Sequence, residues 1–392
     1  TAGSAAARSW LDAIDTLLPS GRVTRSLYGS LDVTQAAASG QEELIGEAAT
    51  LPSGHRLEGL PLIVVPYSAE IDQQTVPLLE AVSPRYVLVS NLGDQLSYEA
   101  SGLQLVSVLA CSAAQPPLNP VEANGAVLAR QLIAGNQQMA SIQLVTTTSQ
   151  ADLAQANYPW RHRRSITELL ASGSSTGVSS WPDQSPEPDE ELAQATLTTS
   201  ELLQTWTELV QPAAINTSLT TQLLVQAWST TFERSSDTQT QWLQLASEPA
   251  VATVTSSNAI QLRITDWVTT SEDNLLPVTV INNTPFKVEV GIRFDSDNPL
   301  RISVEESEPI IVQPGESAAI RVRPITEGNG VVAMRAQAVT SNGHPVGAPV
   351  SFTVTGTDAG RVAWIIILAS GVVLLGATAY RVRSMRRENR EE

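Results

Sequence analysis

VAWIIILASGVVLLGATAY, residues 362–380, is nineteen consecutive residues without a charge, followed by the arginine-rich end RVRSMRRENREE. At ~1.5 Å of helical rise per residue it extends about 28 Å, close to the thickness of a hydrocarbon core. A transmembrane helix is therefore expected at 362–380, with Trp364 and Tyr380 near the two interfaces. A buried soluble helix is the competing reading, but it needs a surrounding bundle, and the run follows a β-rich stretch. Arg381, Arg383, Arg386, Arg387 and Arg390 all lie beyond the second end. The positive-inside rule then predicts a single-pass protein at the cell membrane, its N-terminal bulk outside and residues 381–392 in the cytoplasm. Such a topology needs an export signal. Thr1 opens no charged and apolar leader, so residues 1–392 are expected to be part of a longer precursor.

Composition narrows the function classes. The chain has 392 residues, 42% of them hydrophobic, and a formal charge of −17. That is enough apolar material for two domains, and the acidic surface argues against nucleic acid as a partner. Cys111 is the single cysteine, which excludes an internal disulfide and every multi-cysteine metal site. Only His55, His162 and His344 occur, at no metal-ligand spacing, so no metal is expected. No strand is followed by GxGxxG or GxxxxGK[ST], no GxSxG occurs, and no cofactor is expected.

The first half alternates. A helix is predicted over Ala5–Leu18, then strands at Val23–Tyr28, Pro61–Tyr67, Tyr86–Ser90, Leu103–Leu109 and Ser141–Thr146. Between them stand helix starts at Asp32, whose Gln35 completes a capping box, at Asp72, and at Asn119-Pro120. The apolar strands at 86–90 and 103–109 suit a parallel sheet buried on both faces. An α/β head over 1–170 follows, either an open parallel sheet or a partial β/α barrel. Residues 171–190 form an acidic loop rich in Ser, Gly and Pro, and helical spacing over 191–250 closes the head. From 251 to 357 seven short β-branched runs, separated by turns such as QPGES and TSNGHP, predict an immunoglobulin-like β-sandwich.

Catalytic residues of a barrel sit just after its strands, which selects Tyr28 and Asp32, then Tyr67, Glu70 and Asp72, then Asn91 and Asp94. A glycosidase needs two carboxylates flanking the sugar, and Asp32 with Glu70 or Asp72 is the pairing available. Helix capping is the alternative role of Asp32 and Asp72, and the explicit capping pattern at Asp32 favours it. Tyr158-Pro159-Trp160-Arg161-His162-Arg163-Arg164 gathers arginines and aromatics in an otherwise acidic chain, a combination suited to sugar rings and anionic groups. Tyr28, Tyr67, Trp160, Arg161, Arg163 and Arg164 are accordingly the candidate ligand-binding residues. Pairing of these arginines with the chain's own acids is the other reading.

The order of parts, with YGSLDVT and LPLIVVPYSAEID at strand ends and VQPGES in the sandwich, resembles uncharacterised single-pass actinobacterial cell-envelope proteins associated with the lipid II flippase. That resemblance implies a head related to glycoside hydrolase and polysaccharide deacetylase barrels. It also implies cell-wall glycan or its precursors as ligand and a membrane protein such as the flippase as partner. The His and Asp ligands of true deacetylases are missing, so the expected role is a degenerate, non-enzymatic head assisting cell-wall precursor handling. An active envelope glycoside hydrolase and a protein-interaction subunit of a membrane complex are the alternatives.

Overall fold

The computed structural model describes residues 2–20, 23–51, 54–90, 92–93, 95–108, 128–129, 132, 142, 152, 158–159, 161–162, 164–172, 175–182, 185–269, 275–326, 329–356 and 359–388. The chain divides into two compact units. Unit 1 comprises 1–200 and 218–246, and unit 2 comprises 201–217 and 247–392. The helix expected from Asn119 and the strand expected at Ser141–Thr146 lie outside the described residues, apart from a few isolated positions.

Unit 1 is built on a five-stranded sheet of β1 (Ile63–Val64), β2 (Tyr86–Val89), β3 (Ser97–Ala100), β4 (Leu103–Ser107) and β5 (Thr176–Gly177), in the order β1-β2-β4-β3-β5. Arg25 adds a parallel bridge to Leu62 just before β1. Strands β1, β2 and β4 run parallel, with Val87 opposite Leu105. All four residues of β2 are buried, Val87 and Val89 toward one apolar cluster and Tyr86 and Leu88 toward another. This two-faced burial is what a continuous apolar strand needs. The hairpin β3–β4 departs from the parallel plan. Its two-residue loop, Ser101-Gly102, has φ of 48° and 82°, the doubly left-handed geometry that turns a strand straight back, so β3 pairs antiparallel with β4.

Unit 2 holds two sheets around one core. One has the order β11-β9-β14-β15-β7, from β7 (Trp267–Thr269), β9 (Val288–Ser296), β11 (Ile310–Val312), β14 (Gly330–Val339) and β15 (Pro345–Gly356). The other is β12-β8-β6, from β6 (Ile260–Arg263), β8 (Leu276–Asn282) and β12 (Ser317–Val322), and β10 (Ile302–Val304) pairs separately with β13 (Pro324–Thr326). Alternation decides which residues face inward: Leu276, Val278 and Val280 of β8 meet Val290, Ile292, Met334 and Phe352 in a single apolar cluster.

Two polar joints sit inside unit 2. The Asn282 side chain is fully buried. Its amide donates to the carbonyls of Phe286, Val312 and Gln313 at 2.7, 3.2 and 3.0 Å, and its carbonyl accepts from the Thr284 amide and hydroxyl. Glu208 accepts from Thr340 Oγ1 and Asn342 Nδ2, each at 2.7 Å, and lies 2.8 Å from His344 Nδ1. Burial pulls the Glu208 carboxyl upward, but the hydrogen bonds from Asn342, Thr340 and His344, with the imidazole's charge, outweigh it and hold the group below its usual value.

The expected fold class, a parallel-sheet or partial β/α-barrel head with an immunoglobulin-like sandwich and a C-terminal transmembrane helix, is corrected in two respects. The protein is mixed α/β with several sheets, and the head sheet is mixed because the Ser101-Gly102 turn inverts β3. Among the described residues, no helix is long and apolar enough to cross a membrane. Residues Ala359–Glu388 do form a continuous helix. Its apolar side chains from Ile365 to Tyr380 are exposed. The transmembrane assignment of 362–380 falls because no described helix is long and apolar enough. With it falls the single-pass placement at the cell membrane, external bulk and cytoplasmic tail included.

Replacing Asn282 by Leu takes a donor from three carbonyls, of which Gln313 keeps the Glu316 amide and Phe286 keeps the Thr284 hydroxyl, and takes the acceptor from the Thr284 amide; it is expected to cost about 2 kcal/mol, read as a lower midpoint in urea. A depressed carboxyl contributes stability above its unfolded pKa and loses it as pH falls through the folded one. Wild type should therefore lose stability on acidification below about pH 4.5 more steeply than Glu208→Gln, measured by thermal melts across that range.

Candidate functional site

Asp32 follows the 3-10 turn Tyr28–Ser30 and opens the helix Val33–Ala38, where its carboxylate accepts from the Gln35 amide at 3.1 Å and the Thr34 hydroxyl at 2.9 Å. It is 2% exposed. A buried carboxylate needs more than a cap. Arg234, distant in sequence, supplies it: its Nε donates to Asp32 Oδ2 at 2.7 Å and its Nη2 to Oδ1 at 3.2 Å and to Thr34 Oγ1 at 2.8 Å. Backbone pairing fixes the meeting, since the Asp32 amide donates to the Trp228 carbonyl at 2.8 Å and Leu31 bridges Ser229. Trp228 is fully buried and its indole N–H donates to Thr196 Oγ1.

Arg234 also stacks over the Tyr67 ring, 4.5 Å from its centroid. Tyr67 begins the turn that follows β1, at the C-terminal end of a parallel strand. Beside it opens a cleft of about 680 Å³, lined by Leu27, Leu31, Val64, Val65 and Pro66 on its apolar side. Its polar groups are Ser26, Ser30, Tyr67, Ser68, Thr230 and Glu233. The position past the C-terminal ends of parallel strands is where α/β sheets generally hold ligands.

The backbone around this cleft is strained. Seven non-glycine residues have positive φ among the described residues; Ser30, Ser68 and Glu233 line the cleft, and Ala69 and Arg234 directly follow two of them. Each such residue costs on the order of 1 kcal/mol and persists only where surroundings hold it. At Ser68-Ala69 the hold comes from Ser90, whose amide and hydroxyl donate to the Ala69 carbonyl and whose hydroxyl also reaches the Ser68 carbonyl. Gly29 has φ +66°, and a Cβ there would sit 3.3 Å from Gln226 Cγ, so that side chain would have to give by a few tenths of an ångström.

The structure scatters the remaining residues singled out in the sequence. Asp72 is buried and caps the start of the next helix, accepting from the Thr75 amide and hydroxyl at 2.8 Å each. Glu70 is exposed and is not in the cleft wall. Tyr28 is half-buried, its hydroxyl accepting from Gln226 Nε2 at 2.7 Å. Arg161 lies over the Tyr158 ring, 5.0 Å from its centroid, and Arg164 is exposed. Trp160, Arg163, Asn91, Asp94 and Cys111 lie outside the described residues. Among the described residues, no group of three or more His, Cys, Asp or Glu is placed to hold a metal ion. Sequence reasoning missed Thr230, Glu233 and Arg234, which stand in a short turn between two helices with no motif to mark them.

The model of a family of unknown function, DUF6049, matches residues 128–390. The chain belongs to that family. The matched segment includes Thr230, Glu233 and Arg234 but begins after Asp32 and Tyr67. No curated protein matches the chain. Solved structures with local similarity include WR4, an MSP family member of C. elegans, at 7% identity over 25% of this chain and 98% of its own, TM-score 0.20. A FixG-related protein from Vibrio parahaemolyticus is 14% identical over 26% of this chain and 98% of its own, TM-score 0.21. The E. coli chaperone DraB is 13% identical over 25% of this chain and 55% of its own, TM-score 0.19. Likenesses this weak define neither fold nor function.

Removing one partner of the Asp32–Arg234 pair leaves the other without its counter-ion. Asp32→Ala is expected to lower stability by about 3 kcal/mol, and Arg234→Met combined with Asp32→Asn by less than the two single changes added. Urea unfolding of wild type, Asp32→Ala, Asp32→Asn, Arg234→Met and the double variant reads both.

Proposed function

We propose that this protein is a non-catalytic binding protein whose first unit holds a polyhydroxylated ligand, such as a glycan segment, in the cleft beside Tyr67. The observation that carries the reading is the cleft itself: a concave, strained site with an aromatic ring, an apolar wall and a rim of hydroxyls at the ends of parallel strands. Sugars present apolar ring faces flanked by hydroxyls, and a Tyr ring with Ser and Thr side chains complements both.

Hydrolysis is the weaker reading on chemical grounds. A glycosidase needs two carboxylates facing one bond, one of them protonated. Here Asp32 is bound to Arg234 and Thr34, Asp72 is bound to Thr75, and the cleft wall carries one carboxylate, Glu233. Cell-wall glycan or its precursors belong to the ligand class that the cleft suits, and a role in handling them is part of the proposal.

Calorimetric titration of the full chain with a panel of wall-derived oligosaccharides tests the reading, run alongside a reducing-end assay for cleavage. Binding without turnover is expected, with Tyr67→Ala weakening affinity about tenfold through loss of the stacking surface. Turnover that disappears in Asp32→Asn would overturn the non-catalytic assignment, and absence of binding by every oligosaccharide would overturn the ligand class.

A further inference from the structure

Glu233 and Arg234 are adjacent, opposite in charge, and both left-handed, with φ of 52° and 57°. Two consecutive side-chain-bearing residues in that region are costly, and glycine or asparagine is the usual solution after a helical turn. The conformation separates the pair. Arg234 is bound to Asp32 and Thr34 and covers Tyr67, so its charge is neutralised within the protein. Glu233 closes the 3-10 turn Thr230–Phe232 and is an exposed residue of the cleft lining.

No other acidic or basic side chain lines this cleft, and among the described residues the Glu233 carboxylate has no hydrogen-bond or ion-pair partner. The protein has thus spent its nearest cation on Asp32 and kept one carboxylate unpaired beside hydroxyls and an aromatic ring. From this geometry we infer that the ligand carries a protonated amine, which Glu233 receives: an amine-bearing sugar rather than a neutral or anionic one. The inference rests on the binding role proposed for the cleft and adds the charge of its ligand. An exposed carboxylate at the cleft donates no hydrogen bond and accepts several, so an ammonium complements it best, a neutral hydroxyl less well, and an anion is repelled.

The experiment compares three probes on the full chain by calorimetry at a pH where the amine is protonated: a glucosamine trimer, its N-acetylated counterpart, and a neutral glucose trimer. The amine trimer is expected to bind about tenfold more tightly than either other probe, and the preference to fall as salt rises. Glu233→Gln keeps the size and hydrogen-bonding capacity of an exposed side chain, so it should fold as wild type by circular dichroism and bind all three probes alike. Equal binding of the three by wild type, or an amine preference that survives Glu233→Gln, overturns the inference while leaving the cleft's binding role standing. Failure of all three to bind overturns both. Loss of binding of the neutral trimer in Tyr67→Ala, with amine selectivity retained at Glu233, identifies the two contributions as separate and supports the inference.

Discussion

The bond between Asp32 and Arg234 is the constraint on which unit 1 depends. Asp32 is buried, so its charge has to be balanced, and one carboxylate meets three demands: it caps a helix, receives the Thr34 hydroxyl and binds the guanidinium. Arg234 reaches it from the far side of the chain because Trp228 and Ser229 pair with the backbone at Leu31 and Asp32. The guanidinium then covers Tyr67, which turns a structural ion pair into one side of a cleft. Position and chemistry of the candidate site therefore follow from a charge-balancing requirement in the core.

Unit 2 meets similar requirements with different groups. Asn282 uses every donor and acceptor of its amide to fasten three carbonyls and Thr284, and Glu208 is held by Thr340, Asn342 and His344. Fully satisfied buried polar groups of this kind specify one packing arrangement, since any slip leaves an amide or carboxylate without partners. The strained turns at Ser30, Ser68 and Glu233 are the opposite case. They store conformational cost at the cleft, and Ser90 and the Asp32–Arg234 bond hold them there.

Much of the β structure was legible because alternation is a local signal. Leu276 to Asn282 shows inward and outward residues directly, and the apolar run Tyr86–Val89 could be read as a strand covered on both faces. The hairpin at Ser97–Ser107 was also available, in the Ser-Gly pair between two alternating segments, yet the parallel reading of its neighbours obscured it. Charge-free length at 362–380 suggested a membrane span that the structure does not support. The site was less legible. Asp32 and Asp72 carry their capping chemistry in adjacent residues, so that role could be read. Arg234 matters through contacts with Asp32 and Thr34, about two hundred positions away, and Glu233 through a cleft built largely from the first seventy residues, neither of which a local pattern encodes.

A crystal structure of the full chain with a glucosamine oligosaccharide tests the central claim most directly. An intact sugar is expected in the cleft, in contact with Tyr67 and with its amine at Glu233, while Asp32 stays bound to Arg234. A cleaved sugar, or one seated at Glu70 and Asp72 with Asp32 released from Arg234, would contradict it.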